Sequence, residues 1–319
     1  MIDFRNSKVF KHSYNGSFNA LLKAGLKEDY ASILADSFAV SDCFGVLTHG
    51  SALLDTYLNK INTGFFNLTP TFTIEKQTHS FASINGDNAI GAVSARHCLD
   101  IAIERAQIEG VYTVFSRNNN TFGAAFYYSL LAAEKGYICF ITSNSPAQMA
   151  TPNGKTKKLG TNPFSVVFPT KDGYPIIVDM ATSIVAKSKI KNYKEKNLLL
   201  PDGWALDENG DPTNDPEKAL KGFVLPMAGF KGYAIALSID IFAGILSGAS
   251  YLDNVGRFLN SNSCMDIGFM ITVYNPKLIV NGDYYDKIGA YIKKLKSSSE
   301  GDEVILPGND RIDFYIKSK

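Results

Sequence analysis

The spacing of apolar residues predicts helices in the first third of the chain. Within residues 16–63, apolar side chains recur at three- and four-residue spacing in LLKAGLKEDYASILADSFAVSD, and again after Thr48 in ALLDTYLNKI. Residues 71–86 instead alternate apolar and polar side chains, which predicts two short strands, and GDNAIG at 86–91 predicts a turn. An amphipathic helix is expected next, ending at Gly110.

The middle of the chain alternates between strand-like and helix-like segments. Buried strands are predicted at 111–116 and 137–144, with a helix from Ala124 to Lys135 between them. Short strands are predicted at 164–169 and 175–180. This alternation is typical of an α/β architecture. Repeated turn signals predict that 191–220 is rich in loops.

The longest apolar segment, YAIALSIDIFAGILSGA at 233–249, predicts a buried core helix. It contains Ser238, Asp240 and two glycines, so it is too polar and too short to span a bilayer. A strand over IGFMITVYNP, a helix near YYDKIGAYIKKLKSS and a polar tail are predicted after it. The pattern contains no internal repeat and no low-complexity linker, which favours intertwined subdomains.

The charge balance excludes partners that bind mainly by electrostatic attraction. The 319 residues include 32 Lys and Arg against 31 Asp and Glu, a net charge of +1, so we expect no nucleic acid and no membrane as partner. The densest basic cluster is KSKIKNYKEK at 187–196. A solvated helix face is the favoured interpretation of this cluster, and contact with a phosphate or another anion stays open.

Cysteine use and the N-terminus favour a reducing compartment. Cys43, Cys98, Cys139 and Cys264 are far apart and lack CxxC spacing, which argues against a disulfide framework or a zinc site. The first residues have no apolar core of the signal-peptide type, so a cytoplasmic protein is expected.

Among the ionisable residues, His49 is the strongest candidate for chemistry. The chain has no GxGxxG, no complete P-loop and no GxSxG. The other three histidines are interpreted as surface or packing residues. His49 lies in GVLTHGS at a predicted helix start, where backbone can approach a ligand and an imidazole titrates near neutral pH.

Two further stretches allow both a structural and a functional interpretation. VDMATS at 178–183 ends a predicted strand, and its hydroxyl groups either cap the next helix or contact a ligand. In GFKGY at 229–233, Lys231 precedes a predicted helix, where a cation opposes the helix dipole. An anion bound there would relieve that conflict, but a solvated lysine is equally compatible with the sequence.

Taken together, the motifs resemble the malate/L-lactate dehydrogenase family of the non-Rossmann type, which includes sulfolactate and ureidoglycolate dehydrogenases. The resemblance extends from about Leu21 to Gly308 and rests on the order and spacing of the motifs. The matching stretches are THG (48–50), GDNAIG (86–91), RNNNTFGAA (117–125), SNSPAQMA (143–150), LGTNP (159–163), VDMATS (178–183), DGWALDENGDPTNDP (202–216), LPMAGFKGYAIAL (225–237), LSGAS (246–250) and LPGND (306–310).

The resemblance implies an oxidoreductase that uses NAD or NADP and interconverts small 2-oxo acids or cyclic imino acids with 2-hydroxy or amino acids. It implies a sulfolactate dehydrogenase-like α/β fold, with a central mixed sheet flanked by helices, and a homodimer. We expect an N-terminal helical segment carrying the catalytic histidine (1–70), a cofactor- and substrate-binding α/β core (71–260), and a strand-helix segment that packs back on this core (261–319).

The resemblance also implies roles for individual residues. His49 is expected to be the proton donor, and no metal is expected. Substrate contacts are expected from Thr48, Asn120 and Thr161. The residues expected to contact the cofactor are Ser145, Val178, Asp179, Met180, Ala181, Thr182, Ser183, Phe230, Lys231, Gly308, Asn309 and Asp310.

The chain departs from the family pattern at its loop histidine. The usual N-H-F-G is Asn120-Thr121-Phe122-Gly123 here, and Phe44 occupies a position that is often arginine. A threonine cannot replace imidazole as a base, but it can donate a hydrogen bond to a carbonyl or hold a water. We therefore expect a working reductase in which Thr121 orients the substrate. The alternative is a non-catalytic binding or scaffold protein. A C-terminal helix is expected to be missing.

Overall fold

A computed structural model describes residues 3–259, 264–299 and 304–318 of the chain. The described chain is a mixed α/β structure in which helices flank a large sheet. The helices are α1 (Lys8–Lys23), α2 (Glu28–Cys43), α3 (Leu54–Asn62), α4 (Gly91–Glu109), α5 (Ala125–Glu134), α6 (Lys187–Glu195), α7 (Pro216–Lys221), α8 (Phe230–Asp240), α9 (Pro276–Ile279), α10 (Tyr284–Lys296) and α11 (Asn309–Lys317).

Twelve strands form two sheets within the described ranges. The strands are β1 (Thr73–Gln77), β2 (Phe81–Asn85), β3 (Val111–Asn119), β4 (Ile138–Ser143), β5 (Met149–Ala150), β6 (Lys157–Leu159), β7 (Phe164–Phe168), β8 (Ile176–Met180), β9 (Ala205–Leu206), β10 (Pro212–Thr213), β11 (Phe223–Val224) and β12 (Ile267–Tyr274). The large sheet has the order β1-β2-β3-β12-β4-β7-β8, and the small one β10-β9-β11-β5-β6.

Strand β12 comes from the C-terminal part of the chain but lies in the middle of the large sheet. It pairs antiparallel with both β3 and β4, whereas β2 and β3 are parallel, so the sheet is mixed. Seven of its eight residues are buried, because neighbours cover both its edges and its faces. This explains why IGFMITV is continuously apolar rather than alternating.

The helices bury the large sheet because their apolar side chains pack on it. Every residue of α5 from Ala125 to Ala133 is buried. Helix α4 packs on β3 and contacts α2, which brings the N-terminal helices onto the same core. The three free cysteines in this core, Cys43, Cys98 and Cys139, are fully buried, and Cys264 is exposed.

The predicted strands and the helices ending at Gly110 and Lys135 are confirmed within a residue or two at most termini, although β3 continues to Asn119. Two other expectations are wrong. The N-terminal helical region begins before residue 16, at Lys8, and the first predicted helix is interrupted where Gly25 has a φ of +90°. A C-terminal helix, α11, is present. The 191–220 segment is rich in loops, as expected, between the end of α6 and α7, which Asp215 caps through a hydrogen bond from the Glu217 amide.

The apolar 233–249 segment is neither one regular helix nor fully buried. Helix α8 ends at Asp240 and continues as a π-helical turn over Ile241–Ile245. Its outward side leaves large apolar side chains exposed, since nothing in the described chain covers them. Within the described residues, no helix has the length and apolar character needed to cross a membrane.

Candidate active site

A cavity of about 640 Å³ opens beside the loop that contains Thr121. Its walls come from the THG turn, the 121–123 loop, the segment after β4, β6, the start of α6 and the segment after residue 256. The lining residues are Thr48, His49, Leu53, Thr121, Phe122, Gly123, Ser143, Asn144, Ser145, Pro146, Ala147, Gln148, Lys157, Thr161, Pro163, Ala186, Lys187, Ser188, Leu220, Arg257, Phe258, Leu259, Met265 and Ile267.

The carboxylate of Asp42 fixes the turn that carries His49. It accepts hydrogen bonds from the Ser51 amide, at 3.3 and 3.1 Å to its two oxygens, and from the Ser13 hydroxyl at 2.6 Å. A Cβ on Gly50 would lie 1.8 Å from the Oδ1 atom of Asp42. Glycine therefore follows the histidine because the carboxylate of α2 occupies the space that a side chain would need.

The surroundings of His49 favour the neutral form of its imidazole. Burial, and then the positive charge of Arg311, lower the pKa of His49 below its ordinary value of about 6.5. The Thr48 Oγ1 atom lies 3.1 Å from the Nδ1 atom of His49 and fixes one ring nitrogen. The Nε2 atom is therefore the nitrogen that can exchange a proton with a ligand.

Hydrogen bonds anchor the loop at 117–123, and Thr121 faces the cavity from it. The Asn120 amide group donates to Asn88 Oδ1 and to the carbonyl of Ala89, both at 2.9 Å, and its Oδ1 accepts from the Met265 amide at 3.3 Å. Asn120 is buried, and its side chain makes these hydrogen bonds to other parts of the protein. It therefore supports the loop rather than lining the cavity. Thr121 does line it.

Ser145 and Thr161 meet on another wall of the cavity. Their hydroxyl oxygens are 3.5 Å apart, and the Ser145 amide donates to Asn162 Oδ1 at 3.1 Å. A Cβ on Gly160 would lie 2.1 Å from the carbonyl oxygen of Ser145. The glycine of LGTNP is thus required by the close approach of the two loops, which places both hydroxyl groups beside the cavity.

Apart from Ser145, which lines the cavity, the residues expected to contact a cofactor gather at the end of β8. The Thr182 amide and hydroxyl both donate to the Thr161 carbonyl at 2.9 Å, and the Met227 amide donates to the Thr182 carbonyl at 2.9 Å. The Ile177 amide donates to the Pro307 carbonyl at 2.9 Å. These bonds bring 178–183, the segment before Phe230 and Lys231, and the turn at 308–310 together.

The side chains in this group differ in exposure. Met180, Phe230, Lys231 and Asp310 are exposed, whereas Thr182, Ser183 and Gly308 are buried. The N-cap interpretation of VDMATS is wrong. Ser183 donates its hydroxyl proton to the Val185 carbonyl at 2.9 Å, and α6 is preceded by Ala186, which offers no side-chain cap.

An ion pair that the sequence did not indicate joins this group to the C-terminal helix. The Arg311 Nη2 atom lies 2.6 Å from Asp179 Oδ2, and the guanidinium lies 4.7 Å from the centre of the Phe126 ring. Burial raises the pKa of Asp179, and Arg311 opposes that rise. Arg311 is 132 residues from Asp179, so no local pattern could reveal the pair.

The basic 187–196 cluster has two environments. Lys189, Lys191 and Lys194 are exposed, as a solvated helix face requires. Lys187 instead is half-buried and lines the cavity. Burial and the charges of Lys157 and Arg257 lower the pKa of Lys187 to about 8.

Phe44, which departs from the family pattern, does not line the cavity. Its buried ring packs against Phe4, Phe126 and Tyr315 at centroid distances of 5.3, 5.7 and 6.0 Å. An arginine at this position would have to fit inside an aromatic core. The apolar replacement at 44 therefore bears on packing rather than on the shape of the substrate pocket.

Comparison with known proteins shows similarity over nearly the whole chain. A profile of the family described as malate/L-lactate dehydrogenase matches residues 15–318. The malate dehydrogenase of Pyrococcus horikoshii is 36% identical over 294 residues, covering 89% of this chain and 80% of that protein. The ureidoglycolate dehydrogenase (NAD(+)) of Escherichia coli (strain K12) is 29% identical over 298 residues, covering 92% and 85%. The solved sulfolactate dehydrogenase from Methanocaldococcus jannaschii matches with a TM-score of 0.90 at 33% identity, covering 97% of this chain and 90% of that chain.

Proposed function

This chain belongs to the malate/L-lactate dehydrogenase family, and we propose that it is an NAD(P)H-dependent oxidoreductase acting on a small 2-oxo acid or cyclic imino acid. The observation that carries the proposal is the placement of His49. Its imidazole lines a cavity together with Thr121, Ser145 and Thr161. Thr161 is hydrogen-bonded to the segment at which the cofactor is expected.

His49 moves the proton in this proposal. During reduction it donates a proton to the substrate oxygen or nitrogen, and during oxidation it accepts that proton from the 2-hydroxy or amino acid. Its lowered pKa suits the base role at neutral pH. In the reductive direction, the carboxylate of a bound substrate favours the imidazolium form because opposite charges attract.

Thr121 takes the orienting role that the missing loop histidine leaves open. Its hydroxyl can donate to the carbonyl oxygen that is being reduced. Asn120 and Tyr128 hold the surrounding backbone, the latter through a 2.5 Å hydrogen bond from its hydroxyl to the Phe122 carbonyl. These bonds hold the backbone around the threonine in place. Reduction of a carbonyl or imine consumes one proton, which His49 alone can donate.

The end of β8 and the start of α8 fit a dinucleotide. Strand β8 is an edge strand, so no further strand of the large sheet covers its outer side in the described part of the chain. Helix α8 begins after Gly229 without a side-chain cap, and Lys231 is exposed in its first turn, which suits a phosphate. When bound, the nicotinamide supplies the hydride for reduction and accepts it in oxidation.

A homodimer is part of the proposal. Exposed apolar residues follow one another along α8 and the π-helical turn, among them Ile235, Leu237, Ile241, Phe242 and Ile245. Contiguous apolar surface of this kind marks a protein interface. A second copy of the chain is its expected occupant, as the family resemblance implies, and this would place the start of α8 near the interface.

The first test is a fluorescence titration of the protein with NADH and with NADPH, followed by turnover assays with 2-oxo acids and cyclic imines. His49→Gln is expected to lower kcat by a factor of about 10² to 10⁴. His79→Gln is the control, because His79 is exposed and, among the described residues, its side chain pairs with Glu109. Full turnover by His49→Gln would remove the histidine from the mechanism.

The loss of the loop histidine motivates the alternative function. A non-catalytic binding or scaffold protein would bind a cofactor or ligand and show no turnover with any 2-oxo acid or imine. Thr121→His separates the two functions further. Activity that appears only in this variant would mean that the natural chain is a binding protein.

A further inference from the structure

A buried carboxylate without a cationic partner lies behind the cavity wall that carries Ser145. Asp240, the last residue of α8, is 4% exposed, and among the described residues no cation pairs with it. Burial raises the pKa of Asp240, and hydrogen bonds from the Leu252 amide and the Asn162 side chain oppose that rise. A buried carboxylate is stabilised by the hydrogen bonds that it accepts, so its two donors show what it holds in place.

One of these donors, the side chain of Asn162, connects Asp240 to the cavity wall. The Asn162 Nδ2 atom donates to the Ala236 carbonyl at 2.8 Å and to the Asp240 Oδ1 atom at 3.4 Å. The Asn162 Oδ1 atom accepts from the Ser145 amide at 3.1 Å. Because Asn162 is fully buried, water does not compete for these bonds, and its amide group joins helix α8 directly to Ser145.

Only one orientation of the Asn162 amide group satisfies these neighbours. Ala236 offers a carbonyl and Asp240 an ionised carboxylate, which only accept hydrogen bonds, whereas the Ser145 amide only donates. A flipped amide group would place its NH₂ against the Ser145 N–H and its oxygen against two other oxygens. The carboxylate of Asp240 therefore keeps the acceptor oxygen of Asn162 directed at Ser145.

The other donor attaches the segment after α8 to the same carboxylate. The Leu252 amide donates to the Asp240 Oδ2 atom at 3.0 Å across twelve residues of chain, and Leu252 has a φ of +54°. The next residue, Asp253, pairs with Lys158 of β6 at 2.6 Å. In Asp240→Asn, the single side-chain oxygen can still accept from the Leu252 amide, but the new NH₂ group faces the NH₂ group of Asn162. This substitution therefore disrupts the Asn162 side of the network and leaves the Leu252 side.

We propose that Asp240 is a positioning residue for the cofactor: through Asn162 it fixes the backbone of Ser145, so that the Ser145 hydroxyl meets NADH or NADPH in one orientation. This inference rests on the proposed function, in which Ser145 contacts the cofactor. Of the residues that these hydrogen bonds connect, only Ser145 lines the cavity. The network therefore reaches a ligand at Ser145, and Asp240 itself touches neither cofactor nor substrate.

The test measures cofactor binding and the hydrogen exchange of one amide. Fluorescence titrations give the Kd of NADH and of NADPH, and NMR gives the exchange rate of the Ser145 amide in the cofactor-free protein. Asp240→Asn is expected to raise the Kd by about 10-fold, the value of a lost charge-assisted hydrogen bond, and to speed the exchange of the Ser145 amide. An exchange rate equal to that of the native chain would overturn the inference, because the Ser145 amide would then not depend on Asp240.

A double variant separates positioning of the hydroxyl from a general loss of stability. In a chain that already carries Ser145→Ala, Asp240→Asn should change the Kd by less than about 3-fold, because the hydroxyl that Asp240 positions is gone. Equal effects of Asp240→Asn with and without this hydroxyl would overturn the inference. A Kd that Ser145→Ala leaves unchanged would overturn it as well, and this result does not depend on the folding of any variant at position 240.

Asp253→Asn is the matched control, since Asp253 is an exposed carboxylate in the segment that Asp240 also holds. It should leave the Kd and the exchange of the Ser145 amide unchanged. An effect as large as that of Asp240→Asn would assign the loss to the segment after α8 and overturn the inference. The melting temperature is measured for every variant, and a lowered melting temperature in Asp240→Asn with an unchanged Kd would reduce Asp240 to a structural role.

Failure of the proposed function is detected separately by turnover. If NADH or NADPH binds but no 2-oxo acid or cyclic imine is reduced, the reductase proposal fails, while the Kd values and the exchange rate still decide the role of Asp240. If the native chain turns over and Asp240→Asn binds the cofactor as tightly as the native chain, the inference fails while the reductase proposal remains intact. If the native chain binds neither cofactor, both fail.

Discussion

Removal of Arg311 should destabilise the protein more than most single substitutions. In the ion pair with Asp179, the two side chains are 18% and 13% exposed, and their closest atoms are 2.6 Å apart. Arg311→Met keeps an unbranched side chain but leaves Asp179 without its cation at a site where burial already raises its pKa. Breaking a buried pair costs about 3–5 kcal/mol. Since both groups retain some solvent contact, we expect a loss near the lower end, about 3 kcal/mol.

A second variant separates the cost of a lone charge from the cost of lost packing. In Asp179→Asn/Arg311→Met, a neutral amide replaces the unpaired carboxylate, so the desolvation cost of that charge disappears. The double variant should recover about 1 kcal/mol or more relative to Arg311→Met. The contact between the guanidinium and the Phe126 ring remains lost in both.

Urea unfolding followed by circular dichroism at pH 7 measures these free energies, with Lys317→Met as the control because Lys317 is an exposed cation on the same helix. A loss below about 1 kcal/mol for Arg311→Met would refute the reasoning, because it would place the pair in the range of surface ion pairs. A double variant no more stable than Arg311→Met would refute it as well.

The same substitution has a second consequence at His49. Arg311 is the smaller of the two causes that lower the pKa of His49, and burial is the larger. In Arg311→Met the pKa of His49 should therefore rise part of the way towards its ordinary value. An NMR titration of the imidazole measures this directly. An unchanged midpoint would mean that the guanidinium charge does not reach His49.

Three further predictions concern other parts of the site. Gly50→Ala should lower the free energy of unfolding by about 1–3 kcal/mol, because the added Cβ would meet the Asp42 carboxylate. Gly16→Ala in α1 is the control and should not destabilise, because a Cβ there would have no atom within 4 Å. Thermal melts compare the two variants. Because the pKa of His49 is lowered, kcat/KM for oxidation should rise with pH, with a midpoint below about pH 6.5, and then level off. Over the same pH range kcat/KM for reduction should fall, because the protonated histidine is lost. Parallel pH profiles in the two directions would contradict this. Ile241→Asp/Ile245→Asp should convert the proposed dimer into monomers in light scattering, and a persistent dimer would place the interface elsewhere.

Much of the fold follows from local periodicity. The strands at 111–119 and 138–143 and the helix between them were predictable because β-branched and aromatic runs alternate with a helix-forming segment. The central position of β12 was not predictable in this way. Its apolar run indicates burial on both faces, but the pattern cannot say which two strands lie beside it.

The candidate site was predictable where one short motif carries both the functional side chain and the glycine that positions it. THG and LGTNP are such motifs, and His49, Thr121, Ser145 and Thr161 line one cavity. Asn120 shows the limit of this approach. Its position in a motif indicates importance, but only its buried hydrogen bonds show that it supports the loop.

The amino-acid sequence by itself determined most of the helices and strands and the family to which the chain belongs, because these depend mainly on residues near one another in sequence. The tertiary structure decided which charges meet. Arg311 and Asp179, like Lys157, Lys187 and Arg257, are far apart along the chain and come together only through folding. Electrostatic interaction depends on distance and burial, and neither is set by position in the sequence. The pKa values of His49 and Lys187 are therefore properties of the folded chain.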